Sequence, residues 1–325
     1  MNEENPRLAP CPDAPVVLST HGLTKDFKDV RAVDDLDLAV CRGDVFGFLG
    51  PNGAGKTSTI RMIFGLIYPT QGHVEILGHR VPDERQEALR HVGGFVDDPV
   101  FYGNMSAHRN LRLFGGMNGP VSEERIGEVL EMVGLSTRAD SKVGGYSHGM
   151  RQRLGIALAL IHRPDVVVLD EPTSGLDPAG MRDVRGLVRD LATTGTTVFL
   201  SSHLLHEVEL VANRAAVITR GRLVRQGAVS ELRPARSAVR IKTGDQARAW
   251  EVLRSFGGAG GLVEEEEYIR VSAPDDQVSE MVRRLVAAGA DVEAVIPSFE
   301  QGLEEMFLEM TDADEAKGAG APTEG

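Results

Sequence analysis

Eight consecutive residues, Gly50-Pro51-Asn52-Gly53-Ala54-Gly55-Lys56-Thr57, limit what this chain can fold into more than any other stretch. The apolar run before them, Val45-Phe46-Gly47-Phe48-Leu49, reads as a buried strand. After them Ile60, Ile63, Phe64 and Ile67 fall on one helical face. Strand, glycine loop and helix in that order form the setting of a P-loop. The glycines let successive backbone N–H groups turn toward one anion, and the helix start adds donors and a partial positive charge. Lys56 is expected on the β- and γ-phosphates of a nucleotide and the Thr57 hydroxyl on Mg²⁺, with Ser58 continuing the same turn. A plain glycine turn would not require this spacing. The loop specifies a nucleoside triphosphate, not the use made of its energy.

At 325 residues the chain has room for one large domain and one small one. Its net charge of −13 argues against nucleic acid as a general partner. Cys11 and Cys41 are the only cysteines, too few for a disulfide or zinc framework, which fits the cytoplasm. Residues 1–15 are polar and proline-rich, without the apolar core of a secretory signal, and read as a flexible leader. No uncharged apolar run approaches the length that spans a bilayer, so the protein is expected to be soluble or peripheral. Any passage through a membrane would have to come from a partner.

Further chemistry follows the P-loop. Phe27, upstream of it, is an aromatic placed either to cover an adenine ring or to pack a sheet edge. Leu36, Leu38 and Val40 alternate with polar residues as on a half-buried strand. Val92 to Val96 reads as a strand and is followed by Asp97-Asp98-Pro99. From there to about Gly145 no long β-run occurs, which indicates a mostly helical subdomain over about residues 99–150. Ser147 is a good N-cap for a helix with Leu154, Ala157, Leu158 and Ile161 on one face, and Gly149 leaves room at its start for a phosphate. Val166 to Leu169 suits a parallel strand buried on both faces. Asp170 and Glu171 appear at its C-terminal end, where open α/β sheets bind ligands. Asp170 suits Mg²⁺, directly or through water, and Glu171 is placed to orient or deprotonate an attacking water. His203 ends another core strand, Thr196 to Leu200, beside the same crevice and within reach of a γ-phosphate.

Taken in order, the P-loop, Ser147-His148-Gly149-Met150, Asp170-Glu171, Ser174-Gly175-Leu176-Asp177 and His203 resemble the motifs of ABC-type ATPases over about residues 16–232. The resemblance implies ATP and Mg²⁺ as cofactors and two copies paired head to tail. In that pairing Ser147 and Gly149 of one copy close the ATP on the other's P-loop. Two departures stand out. The family signature usually reads Leu-Ser-Gly-Gly-Gln, and here Tyr146, His148 and Met150 replace three of its residues. Asp97 stands where the family has a glutamine that reaches Mg²⁺ and water. Both features resemble the branch containing bacitracin- and daunorubicin-type drug exporters. That branch implies a homodimer of ATPase subunits, a membrane permease on a separate chain, and a place on the cytoplasmic face of the membrane. The alternatives are an ABC ATPase acting on ribosomes or DNA, which usually has two cassettes or a long coiled coil, and a P-loop kinase, which needs neither Ser147 nor His203.

Residues 234–237 read as a linker. Beyond it the order β-α-β-β-α-β over 238–310 suggests a small ferredoxin-like α+β domain. Within that domain the acidic run Glu264–Glu267 reads as a solvated turn. A last helix carries Leu303, Met306, Phe307 and Met310, and residues 311–325 form a Gly/Ala/Glu-rich tail expected to be disordered.

Overall fold

The computed structural model describes residues 11, 14–232, 237–256, 261–265, 267–272 and 275–299. The linker residues 234–236, the last predicted helix and the tail lie outside the described residues, as does most of the leader. The chain divides into two compact units, Met1–Ser230 and Glu231–Gly325. Strands β1 (Val16–Phe27), β2 (Val30–Cys41), β3 (Val45–Leu49), β4 (Gln71–Ile76), β5 (His79–Val81) and β6 (Val92–Phe95) alternate with helices α1 (Lys56–Ile63) and α2 (Arg85–Ala88). Helices α3 (Ala107–Gly115), α4 (Glu123–Met132) and α5 (His148–Leu160) follow. Then come β7 (Val166–Leu169), α6 (Pro178–Thr193), β8 (Thr197–Ser202), α7 (Leu205–Glu209), β9 (Arg214–Thr219), β10 (Arg222–Ala228) and α8 (Val229–Leu232).

Two sheets build the first unit. One is antiparallel, in the order β2-β1-β4-β5; the other runs β10-β9-β3-β8-β7-β6 and is parallel except for β10. Strands β3, β7 and β8 are buried on both faces, which explains the apolar runs Val45–Leu49, Val166–Leu169 and Val198-Phe199-Leu200. Register then decides what meets at their carboxyl ends. Leu49 pairs with Ser202 and Leu169 with Leu200, so Gly50 lies beside His203 and Asp170 beside Ser201. That edge is where a parallel sheet presents loops to a ligand.

Helix boundaries follow local chemistry. Ser147 Oγ accepts the Met150 N–H at 3.2 Å and starts α5, and Asp177 Oδ1 does the same for Gly180 at 2.9 Å ahead of Pro178. Helix α1 is shorter than its apolar spacing predicts. Gly65, at φ 59°, donates to Met62 O while Leu66 donates to Arg61 O, a left-handed stop that leaves Ile67 off the helix. The stripe in β2 differs too: from Leu36 to Cys41 every residue is buried, Asp37 and Ala39 included, so the strand is covered on both faces.

The cysteine reading needs correction. Cys11 and Cys41 form a disulfide, with Cα atoms 5.7 Å apart. One pair is enough when the chain returns to the same strand end, and the Arg42 N–H to Pro15 O bond at 2.8 Å fixes that return. The cysteine count therefore gives no argument for a reducing compartment.

The second unit contains β11 (Ser237–Thr243), α9 (Gln246–Leu253), β12 (Leu262–Glu264), β13 (Ile269–Ser272), α10 (Asp275–Ala287) and β14 (Val292–Phe299). Its antiparallel sheet runs β12-β13-β11-β14, the strand order of a ferredoxin-like sandwich. Ile241, Leu253, Ile269, Val271, Met281 and Leu285 form its core. In the acidic run Glu264 and Glu267 are exposed and Glu265 is half-buried. Glu265 takes Arg240 at 2.6 Å and Arg270 at 3.3 Å, and Glu267 takes Lys242 at 3.0 Å.

Candidate functional site

Steric limits on the backbone explain the glycine loop. A Cβ on Gly50 would lie 2.7 Å from Ile218 O, and one on Gly55 would lie 2.3 Å from Ala32 O. Gly53 and Gly55 also hold φ values of 81° and 103°, which favour glycine. Gly55 starts α1 without a side-chain cap, so the first-turn N–H groups of Lys56, Thr57 and Ser58 form an anion-facing end. Lys56 is only 5% exposed. Its ammonium donates to Gly50 O at 2.7 Å and Pro51 O at 3.1 Å, and meets Glu171 Oε1 at 3.1 Å. Those three acceptors match the three protons the ammonium carries.

On the opposite side of the loop, β7 ends at two carboxylates. Asp170 is 4% exposed, and its Oδ1 accepts the Ser201 hydroxyl at 2.6 Å. Its Oδ2 receives the Asp97 N–H at 3.4 Å. Glu171 has φ 45°, and its N–H donates to Ser201 Oγ at 2.9 Å. Ser201 therefore bonds both acids at once. Glu171 Oε2 meets His203 Nδ1 at 2.7 Å. An ionised carboxylate only accepts, so Nδ1 carries the proton of that bond. Lys56, the adjacent pair Asp170-Glu171 and His203, from three distant stretches of the chain, thus form one hydrogen-bonded group, with Ser201 joining the two acids.

Other predicted site residues lie elsewhere. The Asp97 carboxylate pairs with Arg61 at 2.7 Å, and only its backbone reaches Asp170. Asp97 also holds φ 58°. Phe27 is 44% exposed, with the Lys25 ammonium 4.9 Å over its ring. Next to Ser147, His148 Nε2 contacts Ser174 O at 3.0 Å, and Gln152 donates to Asp98 Oδ1 at 2.9 Å. The Cβ position of Gly149 looks onto Leu176 at 3.5 Å. Among the described residues, no hydrogen bond or ion pair joins Ser147 or Phe27 to Lys56, Asp170, Glu171 or His203. Sequence reasoning missed Ser201. Its one signal was a polar residue ahead of His203 at the end of an otherwise apolar strand.

A glycine loop between a buried parallel strand and a helix, with paired acids at the end of the next strand but one, across β8, defines a P-loop nucleotide-binding core. A family model described as ABC transporter matches residues 33–174. The chain is 38% identical over 297 residues to the bacitracin transport ATP-binding protein BcrA of Bacillus licheniformis, covering 90% of this chain and 97% of that one. It is 35% identical to a daunorubicin resistance ATP-binding protein of Streptomyces coeruleorubidus, covering 93% of this chain and 98% of the relative. A solved nucleotide-free ATP-binding cassette from an ABC transporter superposes with a TM-score of 0.61 at 25% identity, over 66% of this chain and 92% of that one. A bacterial ABC transporter cassette solved as a dimer gives 0.60 at 25% identity, over 65% and 98%. The chain belongs to the ABC transporter ATP-binding protein family. It is an ATP-binding, ATP-hydrolysing transport subunit, which sets aside the ribosome, DNA and kinase alternatives. Among the described residues, no helix is long and apolar enough to cross a membrane.

Proposed function

We propose that this chain powers an exporter of a drug, antibiotic or lipid-like molecule, as one of two identical ATPase subunits bound to a separate permease at the inner face of the membrane. The observation that carries the hydrolytic part is the convergence of Lys56, Glu171 and His203, at 3.1 Å and 2.7 Å, on the carboxyl edge of one sheet. The exporter part is supported by the printed roles of relatives aligned over nine-tenths of the chain.

The residues fit a magnesium nucleotide. The Cβ-free cradle at Gly50, Gly53 and Gly55, the first-turn N–H groups of α1 and Lys56 suit the phosphates. Pro51, Asn52 and Ala54 complete the loop, and Phe27 is the candidate for the adenine. Thr57 and the buried Asp170 would hold Mg²⁺, which when bound neutralises charge on the β- and γ-phosphate oxygens. Asp97 joins that set only by leaving Arg61.

Glu171 takes a proton from water as the water oxygen attacks the γ-phosphorus and the bond to the β–γ bridging oxygen breaks. His203 holds the Oε2 end of the carboxylate and steadies the angle of the base. Lys56 places positive charge where the leaving oxygen gains electrons. Ser147 and Gly149 of a second copy close the site, and hydrolysis reopens it.

Mixing a Lys56→Ala subunit with a Ser147→Ala subunit tests this pairing. Each alone should be inactive, and the mixture should recover part of the activity through one intact composite site. No recovery at any mixing ratio, with both variants folded, removes the paired arrangement. Copurification of a polytopic membrane protein with the tagged chain tests the transport assignment.

A further inference from the structure

The antiparallel sheet of the first unit carries a second group of metal-ligating side chains, on a different sheet from the P-loop strand and unused by ATP hydrolysis. His21 on β1 pairs directly across the sheet with His73 on β4, and Ser19 pairs with Glu75. Side chains at i and i+2 share a face of a strand, so all four project to the same side. That side is opposite Leu18, Thr20, Val74 and Ile76, which are fully or nearly fully buried. One ligand atom from each of His21, His73 and Glu75 lies within 4.8 Å of the others. We propose that His21, His73 and Glu75 form a binding site for a zinc-like divalent cation, which clamps β1 to β4.

The donor set decides the class of metal. Two imidazoles and one carboxylate suit late first-row divalent ions rather than Mg²⁺ or Ca²⁺, which take oxygen ligands. All three residues are partly buried, shielded enough to lose some water yet open to an entering ion. Ser19 Oγ bonds His21 Nε2 at 2.9 Å. With Nε2–H donating to that hydroxyl, the Nδ1 lone pair is left for a metal, the supporting contact that bound histidines usually have. No hydrogen bond or ion pair engages the Glu75 carboxylate among the described residues.

Metal binding requires both rings to turn out of their stacked arrangement. The two imidazoles lie stacked, with centroids 4.8 Å apart and planes inclined by 13°. Tetrahedral zinc, with bonds of about 2.0–2.1 Å, sets its ligands about 3.3 Å apart. Tilting both rings about their χ torsions brings the nitrogens together, and the paired backbones hold the strands at that spacing. A fourth position remains for water or a partner's side chain.

The test is zinc binding to the full-length chain stripped with chelator, by titration calorimetry without nucleotide, with thermal midpoint as a second readout. One equivalent of Zn²⁺ is expected, with a raised midpoint that chelator reverses. His73→Gln and Glu75→Gln should each weaken binding by about 100-fold or more, and Ser19→Ala by about 10-fold, with circular dichroism confirming the fold. Basal ATPase activity of folded Glu75→Gln without zinc should match the parent. The proposal is overturned if the parent binds no zinc, or if it binds one equivalent that His73→Gln and Glu75→Gln bind equally well. Should His73→Gln not fold, Glu75→Gln and Ser19→Ala decide the matter by the same measurement.

Discussion

Removing the Ser201 hydroxyl should destabilise the site core and depress activity together. Ser201 is fully buried, and its oxygen makes two bonds, as donor to Asp170 Oδ1 at 2.6 Å and as acceptor from the Glu171 N–H at 2.9 Å. A bond to a charged acceptor is worth about 1.5–3 kcal/mol and a neutral one about 0.5–1.5 kcal/mol, so Ser201→Ala should cost about 2–4.5 kcal/mol. For a unit of this size each kcal/mol moves the midpoint by about 2–4 °C, so a fall of roughly 4–18 °C is expected. The assay is thermal unfolding of Ser201→Ala beside Ser202→Ala. Ser202 is also buried, but its hydroxyl serves only Leu204, accepting its N–H at 2.9 Å. ATP turnover should fall in Ser201→Ala even below the shifted midpoint, because Glu171 loses the bond that fixes its backbone. A Ser201→Ala protein as stable and as active as the parent would show that the hydroxyl does not organise the two acids, and the account of the site would fail at its centre.

Four further outcomes follow. Glu171→Gln should lower ATP turnover by about 10²–10⁴-fold while nucleotide binding persists, and turnover at the parental rate removes Glu171 from the role of base. Gly55→Ala should abolish nucleotide binding, because its Cβ would meet Ala32 O at 2.3 Å in a left-handed backbone; equilibrium dialysis with labelled ATP reads the result. Arg61→Ala should change stability by less than about 1 kcal/mol, since its pair with Asp97 is solvent-exposed; a larger loss in denaturant titration would contradict that reading. Reduction of the Cys11–Cys41 bond, which closes a loop with a sequence separation of 30, should remove about 3–4 kcal/mol of stability. Peptide mapping without reductant should recover the two cysteines joined, and free thiols in native protein would refute the pairing.

Much of this architecture is legible in the residues, for reasons that differ by element. The P-loop announces itself because its glycines answer backbone clashes that no other residue avoids, as at Gly50 and Gly55. Strands β3 and β7 and the centre of β8 show as apolar runs because both faces are covered. Their register, which places Asp170 beside Ser201, has no signal in the order of residues. It arises from long-range pairing, and so Ser201 passes for an ordinary strand-end serine. The contacts of Asp97 are hidden for a related reason. Its type and place suggest a metal ligand, but its left-handed backbone turns the carboxylate to Arg61 and leaves the amide facing Asp170. Periodicity predicted a longer α1 because apolar spacing cannot register the left-handed turn at Gly65. The disulfide stayed hidden because two cysteines of unknown separation in space carry no geometry.

The positive φ values of Asp97 and Glu171, 58° and 45°, have a bearing on any survey of tolerated substitutions. Valine, isoleucine and threonine disfavour that backbone region, whereas asparagine and glycine enter it readily. A saturation library would record intolerance at both positions that reflects chain conformation before any chemistry is tested. At position 97, asparagine is the substitution that removes charge while keeping the bend. Comparing it with valine at that position would separate what the loop needs as a shape from what it needs as a charge.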